Sequence, residues 1–203
     1  LRDLCDDHDV PLIVDEIQVG MGRTGEWWAS DHYDITPDAM TVGKAIGNGH
    51  PLSATVYHED LDTWGPGGHT GTFRGYNVAM RAAVRAIEYI EDHALLDHAT
   101  DLGSYIRERL AGVDSPLVAQ VRGMGLFVGA ELVDENGDPG DDVLSAVRTR
   151  CMERGVLVWG GGRDDHVLRL LPPLVMTREQ AETGLDIVCD AIEAVTAERL
   201  DGY

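Results

Sequence analysis

Two kinds of apolar pattern share this chain. Pro11-Leu-Ile-Val14 and Ala39-Met-Thr-Val-Gly43 are short unbroken runs bounded by turn residues. Such runs read as strands buried on both faces, as in a parallel sheet. About two dozen residues lie between them, enough for a crossover between parallel strands. Ser53–Tyr57 alternates and predicts an edge strand. Helical patterns occupy much of the rest. Leu1–His8 reads as a short helix feeding the first strand. Apolar positions near Val84, Ile87 and Ile90 predict a helix over Tyr76–Glu91, and Leu95–Leu110 predicts another. Val118–Val133 reads as one strand carrying Gly123, Gly125 and Gly129, followed by a turn at Asn136-Gly-Asp-Pro-Gly140. Asp142–Arg154 predicts a helix capped by Gly155. Val156–Trp159 and Val167–Leu171 predict strands, and Thr177-Arg-Glu-Gln180 matches a capping box opening a last helix. No repeat or low-complexity segment interrupts this order.

The organisation changes near His93. Residues 1–92 read as the end of a mostly parallel α/β sheet, and residues 93–203 as a small α+β domain of helices on a mixed sheet. A length of 203 residues accommodates two such domains. The chain lacks an initiator Met and opens inside a helix, and two or three parallel strands make a poor stand-alone domain. The expectation is the C-terminal part of a longer protein.

Composition removes several function classes. There are 36 acidic against 16 basic residues, a net charge of −20. That argues against nucleic acid or an anionic membrane as partner. The acids are spread along the chain, so they form a hydrated surface rather than a disordered tail. With arginine replacing lysine almost throughout, they suggest a salt-loving (halophilic) source. Cys5, Cys151 and Cys189 stand far apart without a CxxC, which implies reduced thiols and a cytoplasmic setting. There is no bilayer-length apolar run, and no signal peptide is expected. The eight histidines show no HxxxH or HxH pairing, so no dedicated metal site is expected.

The candidate chemistry sits at the ends of the first two strands. In open α/β sheets, ligands bind at the carboxyl ends of the strands. Asp15 and Lys44 are therefore delivered to one rim. Lys44 is the only lysine in the chain. Arginine can replace it as a surface cation but never as a neutral amine, because guanidinium does not deprotonate. A lysine spared here points to amine chemistry, a Schiff base above all. The alternatives are a chance survivor on a loop for Lys44 and a turn or cap residue for Asp15. Thr72, in a Gly-rich loop before a helix, reads as an N-cap. Arg169, on an apolar strand, needs a partner: a carboxylate held by two parallel hydrogen bonds, or a structural ion pair. Gly160-Gly-Gly-Arg163 reads as a loop. Gly20-Met-Gly-Arg-Thr-Gly25 fits GxGxxG but neither closes a strand directly nor opens a well-formed helix, so it is a poor dinucleotide site.

Five separated motifs then occur in order: Asp15-Glu-Ile-Gln18, Gly22-Arg-Thr-Gly25, Thr41-Val-Gly-Lys44-Ala-Ile-Gly47, His69-Thr-Gly-Thr72-Phe-Arg-Gly75 and Leu168-Arg169-Leu-Leu-Pro-Pro173. Together they resemble the class III aminotransferases, which use pyridoxal 5'-phosphate (PLP) on the fold-type I scaffold. The resemblance implies that Lys44 is the catalytic residue and binds PLP. It implies that Asp15 faces the pyridine nitrogen, a pairing worth about 4 kcal/mol at about 4 Å and an effective dielectric near 20. Gln18 would bond the ring hydroxyl, and Ile17 would pack on the ring. Thr72 would donate to the phosphate across a homodimer interface with shared sites, and Arg169 would bind a substrate carboxylate. Leu61-Asp-Thr-Trp64 followed by His69–Gly75 is similar to the branch acting on 2,4-diaminobutyrate and aspartate semialdehyde, with glutamate and 2-oxoglutarate as the other pair. Where that pattern has Asn after Gly75, this chain has Tyr76 and then Asn77. Ornithine, acetylornithine or 4-aminobutyrate remain as alternative donors, and a non-catalytic fragment remains as an alternative of another class.

Overall fold

The strand leading to the lysine is the middle one of three. The computed structural model describes residues 1–200 and divides into two units, the first spanning Leu1–Asp97 and the second beginning at His98. In the first, helix α1 (Arg2–Asp7) precedes β1 (Ile13–Asp15), then come β2 (Ala39–Val42), β3 (Ala54–Tyr57) and helix α2 (Asn77–Asp92). The sheet order is β1-β2-β3. β1 and β2 are parallel, with Ile13 opposite Ala39 and Asp15 opposite Thr41. β3 runs antiparallel at the other edge.

Asp38 fastens the amino ends of these strands. Its carboxylate accepts from the Leu12 N–H and from Arg2, each at 2.7 Å. The Leu12 bond, followed by Arg2, holds that carboxyl below the usual carboxylate range. The expectation of two strands buried on both faces holds for neither in full. β1 is a sheet edge, with Ile13 65% exposed, whereas β2, flanked on both sides, buries Ala39 and Val42. The crossover between them contains no α-helix, only a 3-10 turn at Ala29–Tyr33. Its sequence is dense in aromatic, aspartate and glycine residues, which are poor helix formers.

The second unit holds most of helix α3 (Leu95–Ala111). It continues with strands β4 (Val118–Met124) and β5 (Phe127–Leu132), helix α4 (Asp141–Glu153), strand β6 (Val167–Leu170) and helix α5 (Arg178–Leu200). The sheet order is β4-β5-β6, antiparallel throughout rather than mixed. The 118–133 stretch is a hairpin, not one strand. Gly123 at φ +148° and Gly125 at φ +48° bend the chain back on itself, a conformation that favours glycine. Residues 156–159 contribute only an isolated bridge, Trp159 to Arg169. β5 alternates strictly: Val128, Ala130 and Leu132 face the core, and Phe127, Gly129 and Glu131 face away. The core under that sheet includes Leu102, Ile106 and Leu110 of α3, Val147 of α4 and Leu185, Val188 and Ile192 of α5. α5 opens as read from the sequence: the Thr177 hydroxyl accepts from the Gln180 N–H at 3.2 Å, and the Gln180 side chain accepts from the Thr177 N–H at 2.9 Å.

Among the described residues no helix is long and apolar enough to cross a membrane, and no three His, Cys, Asp or Glu side chains converge as a metal site.

Candidate active site

The parallel register of β1 and β2 brings Asp15 and Lys44 to one rim. Asp15 ends β1 level with Thr41, and the Glu16 N–H continues the ladder by donating to the Thr41 carbonyl at 2.9 Å. β2 ends at Val42, and Gly43 caps a 3-10 turn whose first residue is Lys44. Gly43 brings the two strand ends together. A Cβ built on it would meet the Ile17 side chain at 3.2 Å, so the turn after β1 rests against the backbone beside the lysine.

Lys44 occupies the left-handed region at φ 47°. For a residue with a side chain, such a conformation costs on the order of 1–3 kcal/mol and persists only where its surroundings hold it. Helix α2 packs on the 44–47 turn, and the Ile46 N–H bonds back to the Gly43 carbonyl at 3.3 Å. The Lys44 side chain is exposed.

Asp15 is held by one oxygen. Its Oδ1 accepts from the Ile17 N–H at 2.9 Å and from the Thr41 hydroxyl at 3.3 Å. Among the described residues Oδ2 has no protein donor, which leaves one lone-pair edge for a ligand. Ile17 is half-buried, and Gln18 is exposed in the turn that follows. An amine, a strand-end carboxylate with one open oxygen and an apolar side chain on a shared rim fit PLP, which presents an aldehyde, a ring nitrogen and a flat ring face.

One residue here escaped the sequence reading. Glu16 is 2% exposed, and its two carboxylate oxygens accept from the Ala29 and Ser30 N–H groups, each at 2.9 Å. It folds the aromatic segment back over the 16–20 turn. A Cβ on Gly20 would lie 2.7 Å from the Trp28 ring, so the first glycine of the GxGxxG match makes room for that ring. No periodicity marks Glu16. Only the return of residues 28–30 onto the turn, a tertiary event, reveals it.

Thr72 is exposed in a turn, and Tyr76 rather than Thr72 is the N-cap of α2. Thr72 lies four positions before the cap, too far for its hydroxyl to reach the first free N–H groups. The plain N-cap reading of Thr72 is thereby corrected.

Arg169 belongs to the second unit. It is half-buried on β6, on the sheet face opposite the core, across from Gly129. Its guanidinium carbon lies 5.6 Å from the centre of the Phe127 ring. Next to it, Glu131 bonds Arg122 and lies 3.3 Å from His166 Nε2. Arg122 first, and then His166, hold the Glu131 carboxyl below its ordinary range.

An acid and an amine at neighbouring strand ends of a mixed α/β sheet fit a PLP-binding class of enzyme fold. The comparisons with known proteins make the class specific. A family model for class-III aminotransferases matches residues 1–192, and the chain belongs to that family. It is 40% identical to a diaminobutyrate–2-oxoglutarate aminotransferase of Rhizobium meliloti, over 98% of this chain and 44% of that protein. It is likewise 40% identical to an ornithine aminotransferase of an Exiguobacterium species, over 96% of this chain and 46% of that one. Among solved structures, an ornithine aminotransferase from Toxoplasma gondii, described with partial occupancy of PLP at its active site, superposes with a TM-score of 0.86. That match has 35% identity and covers 97% of this chain and 46% of the other. The chain thus spans about half the length of the relatives it matches. Class III aminotransferases depend on PLP, and the fold-type I α/β assignment agrees with these neighbours.

Proposed function

We propose that the protein acts as a PLP-dependent transaminase that moves an amino group from an ω-amino acid to 2-oxoglutarate. The observation that carries the proposal is the lone lysine, in a strained backbone conformation, on the same rim as Asp15. When bound, PLP supplies an electron-withdrawing ring that stabilises negative charge at the substrate carbon. The residues of this chain hold and steer that chemistry. Lys44 Nζ anchors the cofactor, then takes and returns the proton at the substrate carbon, a role worth on the order of 10²–10⁴ in rate. Asp15 keeps the ring nitrogen protonated through its open oxygen. Gln18 bonds the ring hydroxyl, and Ile17 packs on the ring. Thr72 donates to the phosphate of the neighbouring subunit's site in a homodimer. Arg169 binds the carboxylate shared by amino acid and oxo acid. Residues 1–92 would form the C-terminal part of the PLP-binding large domain, and residues 93–203 the small C-terminal domain.

Among donors, 2,4-diaminobutyrate is the first choice, supported by the Leu61–Trp64 and His69–Gly75 segments and by the Rhizobium relative. Ornithine is the second reading, because an ornithine aminotransferase matches at equal identity.

The single lysine makes the test direct. PLP is added, the adduct is reduced with borohydride, and the pyridoxyl mass is mapped in wild type and Lys44→Arg. We expect the label on Lys44 and its loss in the variant. A label confined to the terminal amine of the full-length protein would overturn the proposal. Initial rates with 2,4-diaminobutyrate, ornithine and 4-aminobutyrate then rank the donors.

A further inference from the structure

We propose that Gly161 is a positioning residue for Arg169: because it has no side chain, the arginine lies flat along the 159–162 loop with its guanidinium set for a substrate carboxylate. This rests on the reading of Arg169 as the carboxylate anchor. A Cβ built on Gly161 would lie 2.4 Å from Arg169 Cδ, 3.2 Å from Nη1 and 3.4 Å from Nε. The whole outer half of the arginine therefore runs over that one backbone position. The Phe127 ring, 5.6 Å from the guanidinium carbon, forms another wall of the cradle.

The loop is tied to the strand on both sides of the contact. The Arg169 N–H donates to the Trp159 carbonyl at 2.8 Å, the Trp159 N–H donates to the Arg169 carbonyl at 3.4 Å, and the Val167 N–H donates to the Gly161 carbonyl at 2.9 Å. The glycine cannot drift away from the side chain it supports.

The requirement at Gly161 is for space. Its φ is not in the left-handed region, unlike that of Gly162 at φ +90°. A methyl group at 161 therefore causes no backbone strain. It displaces the flexible arginine instead, because flexible side-chain atoms yield before a hydrogen-bonded backbone does. Bidentate carboxylate binding depends on the orientation of a planar fork, so a shift of that size weakens the anchor without emptying it.

The test uses the PLP-loaded enzyme and four forms: wild type, Gly161→Ala, Arg169→Ala and the double variant, with Gly162→Ala as a strained-loop control. Steady-state kinetics give KM and kcat for 2-oxoglutarate, and calorimetry gives the Kd of glutarate, a dicarboxylate that cannot react. We expect Gly161→Ala to raise KM and Kd about tenfold, the scale of one weakened charge-assisted hydrogen bond, with kcat nearly unchanged. Arg169→Ala should raise both further, and the double variant should be no worse than Arg169→Ala, since one residue acts through the other. If Arg169→Ala leaves KM and Kd unchanged, the anchor reading itself falls and the cradle with it. If Arg169→Ala weakens binding while Gly161→Ala does not, the cradle alone is wrong. Full additivity in the double variant, or an equal loss in Gly162→Ala, would reduce Gly161 to a general loop effect and overturn the proposal.

Discussion

At the scale of single residues, the candidate site divides into groups proposed to touch a ligand and groups that hold those groups still. Asp15 and Lys44 were legible because their chemistry is rare for their position: an acid and the only lysine, each closing an apolar run. Glu16 was not, because a glutamate in a turn is ordinary until its surroundings are known. Its burial is tolerated only because both oxygens meet backbone N–H groups. Glu16→Gln replaces one acceptor with a donor facing a donor. Leaving a buried N–H unsatisfied costs about 1–3 kcal/mol. Denaturant titration should show that loss, together with weaker PLP retention as the 28–30 segment lifts from the turn. Unchanged stability would mean that the two hydrogen bonds contribute nothing net.

Elements tell a different story. Helix α3 meets the β4–β5 hairpin at Gly103, where a Cβ would come within 1.9 Å of the Gly125 carbonyl oxygen. Neither partner is flexible: one is a helix backbone and the other a tight turn. Gly103→Ala gains about 1 kcal/mol of helix propensity, but it forces two backbones apart. Overpacking of that kind costs about 1–3 kcal/mol, and more when the obstacle is backbone. The steric cost should win, so we expect a net loss of stability in urea titration. A more stable variant would show that the hairpin turn yields freely. From the sequence this helix and its period were readable, but the close approach was not, since a glycine inside a helical pattern reads only as a weak helix former. The hairpin was missed for a related reason: Gly-Met-Gly within a run of valines resembles a strand with loose spots until its pairing partner is seen.

For the whole molecule, charge decides more than any single contact. A net charge of −20 on 203 residues opposes the folded state by self-repulsion. Exposed ion pairs such as Arg109–Asp186 at 2.7 Å act the other way, but each is worth little. Salt screens both, shortening the Debye length from about 10 Å at 0.1 M to about 3 Å at 1 M. Repulsion outweighs attraction here, because the acids far outnumber the bases able to pair with them. Thermal unfolding should therefore move upward by several degrees between 0.1 and 1 M KCl, at about 2–4 °C per kcal/mol for a chain of this size. A falling midpoint would show that the ion pairs dominate.

The sequence by itself determined the order of most elements, the strand ends that carry Asp15 and Lys44, the capping box of the last helix and the five motifs that mark the family. Those properties depend on local pattern and on residue chemistry, both written in the chain. Only the tertiary structure decided that 118–133 folds into a hairpin and that Tyr76 rather than Thr72 caps α2. The same holds for the support around the site: Glu16 clamps the turn behind Asp15, Gly43 admits Ile17 beside the lysine, and Gly161 admits the side chain of Arg169. Each depends on which distant backbone arrives at a given side chain, and an apolar pattern of period two or 3.6 does not encode that.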